Sequence, residues 1–356
     1  MSQEAEQFTP ERISTLANSI HAKLSQSISS ISEVNSDLRL LAFNAKIQAA
    51  KAGAAGAGFG VVANEIKEMV TKTREITDDL ESHVGHAIGE LTSLNRLLGT
   101  QVRGRRLAQV AGNCIDIVDR NLYERSCDVR WWATESAVVE ALERPCQDAT
   151  ARAGARLATI LRSYTVYHDL VLCDLDGRIV CNGRPERFHC VGAAMGDSKW
   201  FQEARLSTSG EQFGFQGPCS SALAGGAPSL VYSCAIRTAG AAHGVPLGAI
   251  GVVFDWTNLG QVVVDRAQAM LRAESEHPLH VLICQPDGDL VAASAGGRQP
   301  SAAGLPGLFS SPERFAVSAD LFDMDCLCAF APSAGYETYR TGWVAIVAEE
   351  LRRACR

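Results

Sequence analysis

A helix-forming pattern that stops at three closely spaced glycines and then starts again occupies the first 100 residues. Before the glycines, apolar residues recur at alternating steps of three and four: Ile13, Ala17, Ile20, Leu24, Ile31, Val34, Leu38, Leu41 and Ala45. After them the spacing resumes at Phe59, Val62, Ile66, Met69, Ile76 and Leu80. This spacing is typical of the a and d positions of a coiled coil. The sequence therefore predicts two long helices packed as an antiparallel hairpin.

The reversal between the two helices is specified locally. Gly53, Gly56 and Gly58 supply the left-handed and close-approach conformations that a tight helix reversal needs, and no proline interrupts the segment. Many alanines flank the glycines, so the end of the hairpin is thin enough for a second hairpin to pack against it in a four-helix bundle. The pattern therefore predicts a homodimer. A plain oligomerisation hairpin is the alternative interpretation.

The amino-acid sequence of the tip, residues 40–67, is similar to that of a known family. LLAFNAKIQAAKAGAAGAGFGVVANEIK resembles the kinase-contacting tip of the methyl-accepting chemotaxis proteins. The resemblance implies that this segment contacts a chemotaxis histidine kinase and a small coupling protein. It assigns the contact to Arg39, Leu41, Phe43, Asn44, Ile47, Gln48, Lys51, Gly53, Gly56, Gly58, Phe59, Val61, Val62 and Glu65.

Several tip residues depart from the family pattern. Arg39 replaces an asparagine and Lys46 a small residue, while Gln48 and Ala54 stand where the family has glutamates. The resemblance implies that those glutamates pair with arginines of neighbouring dimers, and here they are missing. The sequence therefore leaves two interpretations open. Either the tip couples to the kinase, or the hairpin serves only dimerisation or a partner outside chemotaxis. The glutamates of the arms stand singly, so no methylation pair is predicted.

Composition restricts the surroundings in which such a chain acts. No run of 18 apolar residues occurs, and the first residues, MSQEAEQFTPER, lack the pattern of a signal peptide. The net charge is −7 with scattered basic residues, which argues against a nucleic-acid partner. The sequence therefore predicts a soluble, cytoplasmic transducer without direct membrane insertion. Its association with a receptor array is left open.

No chemistry-bearing motif suggests an enzyme. The chain has twelve cysteines but no CxxC pair, and it lacks nucleotide-binding loops and hydrolase signatures. In a cytosolic chain of this size the cysteines are expected to be reduced, buried small apolar residues. We therefore expect no catalysis, no cofactor and no metal site.

After a helical stretch from about Val110, the apolar period changes near Tyr164 from that of helices to that of strands. Two similar strand-turn-strand segments follow, with turns at Asp176-Gly177 and Asp287-Gly288. They are separated by about 110 residues, which indicates two related modules. This layout resembles the double Cache domain, in which two PAS-like antiparallel sheets are attached to one long helix.

The predicted fold class is therefore α+β. It has a signalling hairpin at residues 1–110, a connecting helix at 111–163, a first Cache module at 164–275 and a second at 276–356. The resemblance implies a small-molecule ligand in the first module. Candidate pocket residues are Trp200, Phe201, Tyr232, Arg237, Asp255 and Trp256.

Other roles for these candidates stay open. The two tryptophans are equally consistent with a packed core, and Asp255 with a helix cap before Thr257. Ser198 and Phe201 stand where amino-acid-binding members of the family carry an arginine and a tyrosine. A ligand held there through its α-carboxylate is therefore not supported. The polar and aromatic segment AGYETYRTGW is expected to form a packed turn, and a second ligand-contact site is the alternative.

Overall fold

The computed structural model describes residues 10–275 and 277–351, and it divides the chain into two compact units, Met1–Arg103 and Gly104–Arg356. In the first unit, α1 (Pro10–Lys51) and α2 (Ala57–Trp132) are joined by a 3-10 turn at Gly53–Gly56. The residues of α2 from 104 onwards belong to the second unit. The predicted helical hairpin is confirmed.

Glycine is required at two positions of the reversal. Gly53 has a φ of +59°, which is a left-handed conformation that side chains disfavour. A Cβ on Gly56 would lie 2.3 Å from the carbonyl oxygen of Ala49, so the close approach of the two arms excludes any side chain there. Gly58, by contrast, has no atom within 4 Å of its would-be Cβ.

The contact between the two arms differs by one residue from the expected seam. In the first arm Ala17 points inward as predicted, but Ile28 and Ala42 are buried instead of the residues that precede them. In the second arm the buried residues likewise come one position late: Ala63, Val70 and Thr77. The larger predicted seam residues are exposed, among them Ile20, Val34, Leu41, Val62, Met69 and Ile76. Alanines thus lie between the arms near the tip, Ile28, Val70 and Thr77 lie between them further back, and a second apolar row faces outward.

The second unit begins with three helices rather than one connecting helix. The end of α2 at Trp132 is followed by α3 (Ser136–Glu143) and α4 (Gln147–Ser163). Pro145 disfavours the helical conformation at the preceding residue, and Arg144 indeed has φ −131° and ψ 67°. The sulfur of Cys146 then accepts a hydrogen bond from the amide of Ala149 and caps α4. The expectation of a single helix over 111–163 is corrected accordingly.

The first sheet has five antiparallel strands in the order β2-β1-β5-β4-β3. The strands are β1 (Tyr167–Asp174), β2 (Ile179–Asn182), β3 (Gly214–Ser220), β4 (Pro228–Arg237) and β5 (Pro246–Asp255). A short helix, α5 (Lys199–Leu206), packs on one face. Gly177, with φ +76°, makes the expected turn between the first two strands.

A second sheet repeats the first. After a π-helical turn at Thr257–Gln261 and α6 (Val262–Arg272), its strands follow in the order β7-β6-β10-β9-β8. They are β6 (Leu279–Cys284), β7 (Leu290–Ala293), β8 (Phe315–Ser318), β9 (Cys326–Pro332) and β10 (Val344–Glu350), with α7 at Leu305–Phe309. Because the two sheets share one topology, the structure confirms the two related antiparallel modules.

One large core joins the two sheets to the start of the unit. It extends from Leu107 on α2 through the inner faces of both sheets, while smaller cores lie on their outer faces. Asp119 of α2 is only 2% exposed and accepts hydrogen bonds from Ser333 Oγ at 2.7 Å, the Gly335 amide at 3.0 Å and Thr341 Oγ1 at 2.8 Å. The AGYETYRTGW segment is thereby held as a packed turn, and its residue Tyr339 lies in the core.

Candidate functional site

The tip of the hairpin exposes apolar side chains that its own arms leave without partners. Phe43 is 64% and Phe59 73% exposed, and Leu41, Val61 and Val62 are also exposed. Large apolar side chains normally lie in a core, so such a concentration on a thin helical end indicates a contact surface.

The tip also carries an excess of positive charge. Arg39, Lys46, Lys51 and Lys67 are all exposed, and Glu65 is the one acid between residues 39 and 67. The described residues form no ion pair with any of these four basic side chains within the chain. Asn44, Gln48 and the predicted glycines lie in the same segment, so the structure brings all fourteen predicted tip residues together.

The structure divides the six candidate pocket residues of the first module among several places. Trp200 and Phe201 of α5 are buried on the outer face of the first sheet, with Val171, Val231 and Val253. The Trp200 ring lies on the backbone at Gly251, where a Cβ would come within 3.0 Å of it. Both side chains therefore fill the space between α5 and the sheet, as the packed-core interpretation of Trp200 allowed.

Tyr232 and Trp256 lie on the opposite, inner face. The Tyr232 hydroxyl is 2.7 Å from that of Tyr339, and burial together with this neighbour raises the pKa of Tyr232 well above its ordinary value. The Trp256 indole donates to the carbonyl oxygen of Val291 at 2.8 Å, and its ring packs edge-on against Trp343. Both side chains therefore join the two modules and do not share a pocket with Trp200.

Arg237 is 5% exposed and lies at the end of β4, beyond a break in the strand register at Ile236. Its guanidinium donates to the carbonyl oxygens of Gly244 at 2.9 Å and Ser207 at 2.5 Å. It lines a cavity of about 150 Å³ together with Thr134 and Glu211. In this structure Arg237 thus ties two loops together.

Asp255 lies at the end of β5, where its carboxylate accepts from the Asn258 amide at 3.2 Å and from Asn258 Nδ2 at 2.7 Å. It therefore caps the following turn, as the alternative interpretation of the sequence allowed. His168 Nε2 lies 3.7 Å from the same carboxylate. Burial lowers the pKa of His168, with Arg187 and Arg184 adding to the effect and Asp255 opposing it.

A buried carboxylate beside this pair was not among the candidates. Asp169 is fully buried and accepts from the backbone amides of Leu170, Gly183 and Arg184 and from Asn182 Nδ2. Burial raises the pKa of Asp169, although these hydrogen bonds oppose the shift. Its position directly after His168 was visible in the sequence, but three of its four donors, on Asn182, Gly183 and Arg184, lie at and after the end of β2, which only the fold brings near.

The sequence also gave no sign of a cavity of about 580 Å³ beside this loop. Its walls come from α4, including Ala151, Gly154 and Ala158, and from the segment after β2, including Gly183 and Glu186. Small residues of two separate segments form it, which no local pattern marks. Among the residues that the structure describes, no cluster of His, Cys, Asp or Glu has the geometry of a metal site.

A model of the methyl-accepting chemotaxis protein (MCP) signalling domain matches residues 3–111. The hairpin is similar to the signalling domain of this family. The match covers the helical reversal, the exposed tip and both arms, and the predicted resemblance is confirmed.

Two known proteins are similar to part of the chain. The chain is 48% identical over 59 residues to the methyl-accepting chemotaxis protein Amb0994 of Paramagnetospirillum magneticum, which is 17% of this chain and 14% of that protein. It is 32% identical over 118 residues to Protein PilJ of Pseudomonas aeruginosa, which is 32% of this chain and 17% of PilJ. The chain therefore spans only a small part of the length of these relatives.

The second unit resembles solved sensor domains in fold. The ligand-binding domain of the Campylobacter jejuni chemoreceptor Tlp3, solved with L-norvaline, superposes with a TM-score of 0.52 at 12% identity, covering 70% of this chain and 92% of that one. A second structure of the Tlp3 sensory domain superposes with a TM-score of 0.50 at 13% identity, covering 70% of this chain and 94% of that one. The chain thus combines a hairpin similar to the MCP signalling domain with a unit whose fold is similar to that of the Tlp3 ligand-binding domain. None of the helices within residues 10–275 and 277–351 is long and apolar enough to cross a bilayer.

Proposed function

We propose that this chain is a chemoreceptor-like transducer whose double Cache unit binds a small molecule and whose hairpin tip addresses a chemotaxis histidine kinase and its coupling protein. The observation that carries the proposal is the exposed tip. The residues that match the MCP family there, such as Phe59 and Val61, face solvent and are not used to hold the hairpin together. A segment retained only for folding would place its large apolar residues inward.

The outward apolar row of the hairpin supports a homodimer. Val34 and Leu41 on the first arm are seven residues apart, as are Val62, Met69 and Ile76 on the second, and all five are exposed. Rows repeating every seven residues form a continuous stripe along a helix. A second copy packed on this stripe would bury it in a four-helix bundle.

The ligand of the first module is proposed to bind at its outer face, near Trp200 and Phe201. Asp255 and His168 lie at the end of β5 and the start of β1 and offer a polar group at the edge of that face. The other three candidates are used elsewhere, since Tyr232 and Trp256 join the modules and Arg237 ties loops. The proposed ligand is a small cytoplasmic molecule, which is present in the same compartment as the kinase.

The experiment that tests the signalling half uses the full-length chain with purified kinase and coupling protein from the same organism. Phe59→Ala removes an exposed tip residue, and Leu97→Ala is the matched control, because Leu97 is also exposed but lies far from the tip in sequence. We expect wild type and Leu97→Ala to bind the two partners and to change kinase activity, and Phe59→Ala to lose both effects.

An alternative is a sensor whose hairpin only dimerises. Analytical ultracentrifugation of the chain with the kinase and with the coupling protein distinguishes the two interpretations, because both predict a dimer and only the transducer binds these partners. A stable dimer that binds neither partner would contradict the chemotaxis function and support the alternative.

A further inference from the structure

The charge of the tip is opposite to that of the chain as a whole. The tip together with the adjoining Arg39, residues 39–67, contains four basic side chains and one acidic one, a net charge of +3, whereas the whole chain carries −7. The remainder of the chain therefore carries −10. A positive end on a negative molecule creates a local field that selects negatively charged partners.

These four cations have no acidic neighbour within reach on their own helices. Residues three and four positions away from Arg39, Lys46, Lys51 and Lys67 contain no aspartate or glutamate, although side chains at those spacings are the neighbours on a helix surface. The arms behave differently, since Arg74 forms an ion pair with Asp78 four residues later. The charge of the tip is therefore left for an external partner.

Apolar and basic side chains share one line on the first arm. Leu40, Phe43, Ile47 and Lys51 follow one another at steps of three, four and four, so they form a single stripe, and all are exposed. Lys46 flanks this stripe. An apolar centre with charges at its border is the usual anatomy of a protein interface.

Two other occupants fit this surface less well. A further copy of the tip seated on this stripe, in addition to the copy that the proposed homodimer packs against Leu41 and Val62, would bring like charges together, which disfavours contact. A bilayer surface would have to desolvate Asn44, Asn64 and the carboxylate of Glu65, which lie exposed at the same tip, without hydrogen-bonding partners in the acyl region. A protein face can pair with such groups.

We propose that the tip is specific for an acidic protein surface: an apolar hollow that takes Leu40, Phe43 and Ile47, bordered by carboxylates that pair with Lys46 and Lys51. This inference rests on the proposed function, because it describes the face of the kinase or coupling protein that the tip contacts. It adds that charge complementarity selects that partner.

The test measures binding of the full-length chain to the purified kinase and to the purified coupling protein at 50 and 300 mM salt. The variant is Lys46→Glu with Lys51→Glu, and the control reverses two exposed lysines outside the tip, Lys23→Glu with Lys72→Glu. We expect wild-type affinity to fall about tenfold with salt, and the tip variant to lose about tenfold at low salt with little remaining salt dependence. The control behaves as wild type. Circular dichroism verifies that each variant is helical.

Each further outcome has a definite meaning. Binding of wild type that neither salt nor the tip variant weakens would overturn the acidic-surface inference and leave the proposed function intact. Absence of wild-type binding to both proteins would overturn both. Tight binding of wild type to vesicles of phosphatidylcholine and phosphatidylglycerol, without binding to either protein, would replace the acidic protein by an anionic membrane. Restored binding when the partner's carboxylates are changed to lysine would establish the pairing directly.

Discussion

Asp119 is expected to hold the second module to the long helix more firmly than any exposed charge does. Its carboxylate accepts three hydrogen bonds, from two hydroxyl groups and one amide of residues 333–341, in a site that is almost closed to water. Replacing it with alanine leaves these three donors facing a small void. Replacing it with asparagine keeps one acceptor oxygen but turns an NH₂ group towards a donor.

The size of the loss follows from the contacts. A hydrogen bond to a charged group contributes about 1.5–3 kcal/mol, and each buried donor left without an acceptor costs about 1–3 kcal/mol. We therefore expect Asp119→Ala to lower the free energy of unfolding of the second unit by about 3–5 kcal/mol, and Asp119→Asn by about 2 kcal/mol. The control is Asp116→Ala, because Asp116 pairs with Arg120 at 2.9 Å but both side chains are about half exposed. Its loss should stay below about 0.5 kcal/mol.

Urea unfolding of the full-length chain followed by tryptophan fluorescence measures this loss. All five tryptophans lie between residues 131 and 343, so the emission reports the second unit alone. Trp343 is especially close to the site, since its amide donates to Thr341 Oγ1. If the free energies of unfolding of Asp119→Ala and Asp116→Ala differ by less than about 1 kcal/mol, the Asp119 carboxylate does not hold the second module as its hydrogen bonds indicate.

Three further predictions concern other parts of the molecule. Gly56→Ala should lower the thermal midpoint of the hairpin, because its methyl group would clash with the backbone of Ala49, whereas Gly58→Ala should be tolerated. Circular dichroism measures the thermal midpoints of both variants, and equal midpoints would contradict the close approach of Gly56 to Ala49. The lowered pKa of His168 means that the unfolded chain binds its proton first, so stability should fall as the pH drops below the ordinary value of 6.5. His168→Gln should reduce that fall in unfolding midpoints measured at pH 7.5 and 5.5, and an unchanged pH dependence would exclude His168 as its source. Cys146 is exposed, whereas burial raises the pKa of the Cys181 thiol to about 12. Iodoacetamide followed by peptide mass mapping should therefore label Cys146 before Cys181, and faster labelling of Cys181 would contradict the packing.

The local patterns of the sequence were sufficient for the hairpin and for the two modules. A helix reversal needs glycine where φ is positive or the backbones touch, and Gly53 and Gly56 occupy such positions. Likewise, an Asp-Gly turn between apolar strands is a local signal, and both such turns lie where they were expected. These features are encoded over a few residues, so no distant contact was needed to predict them.

The inward row of the hairpin depended on the partner helix. Adjacent apolar rows such as Leu41 and Ala42 have the same period, and periodicity alone does not say which row faces the other arm. Close packing of two helices selected the alanine, because a small side chain lets the backbones approach. The larger residue, Leu41, therefore lies on the outer surface.

The candidate ligand site shows the same division. Alternation along β4 and β5 predicts two faces of a sheet, but tertiary packing decided that Trp200 covers one face while Tyr232 and Trp256 fill the other, against the second module. A register shift after Ile236 then carried Arg237 to the loops. The sequence by itself therefore determined the elements and the family of the tip, whereas which side chains meet was decided by the tertiary structure, because contacts between residues a hundred positions apart leave no periodic trace in the chain.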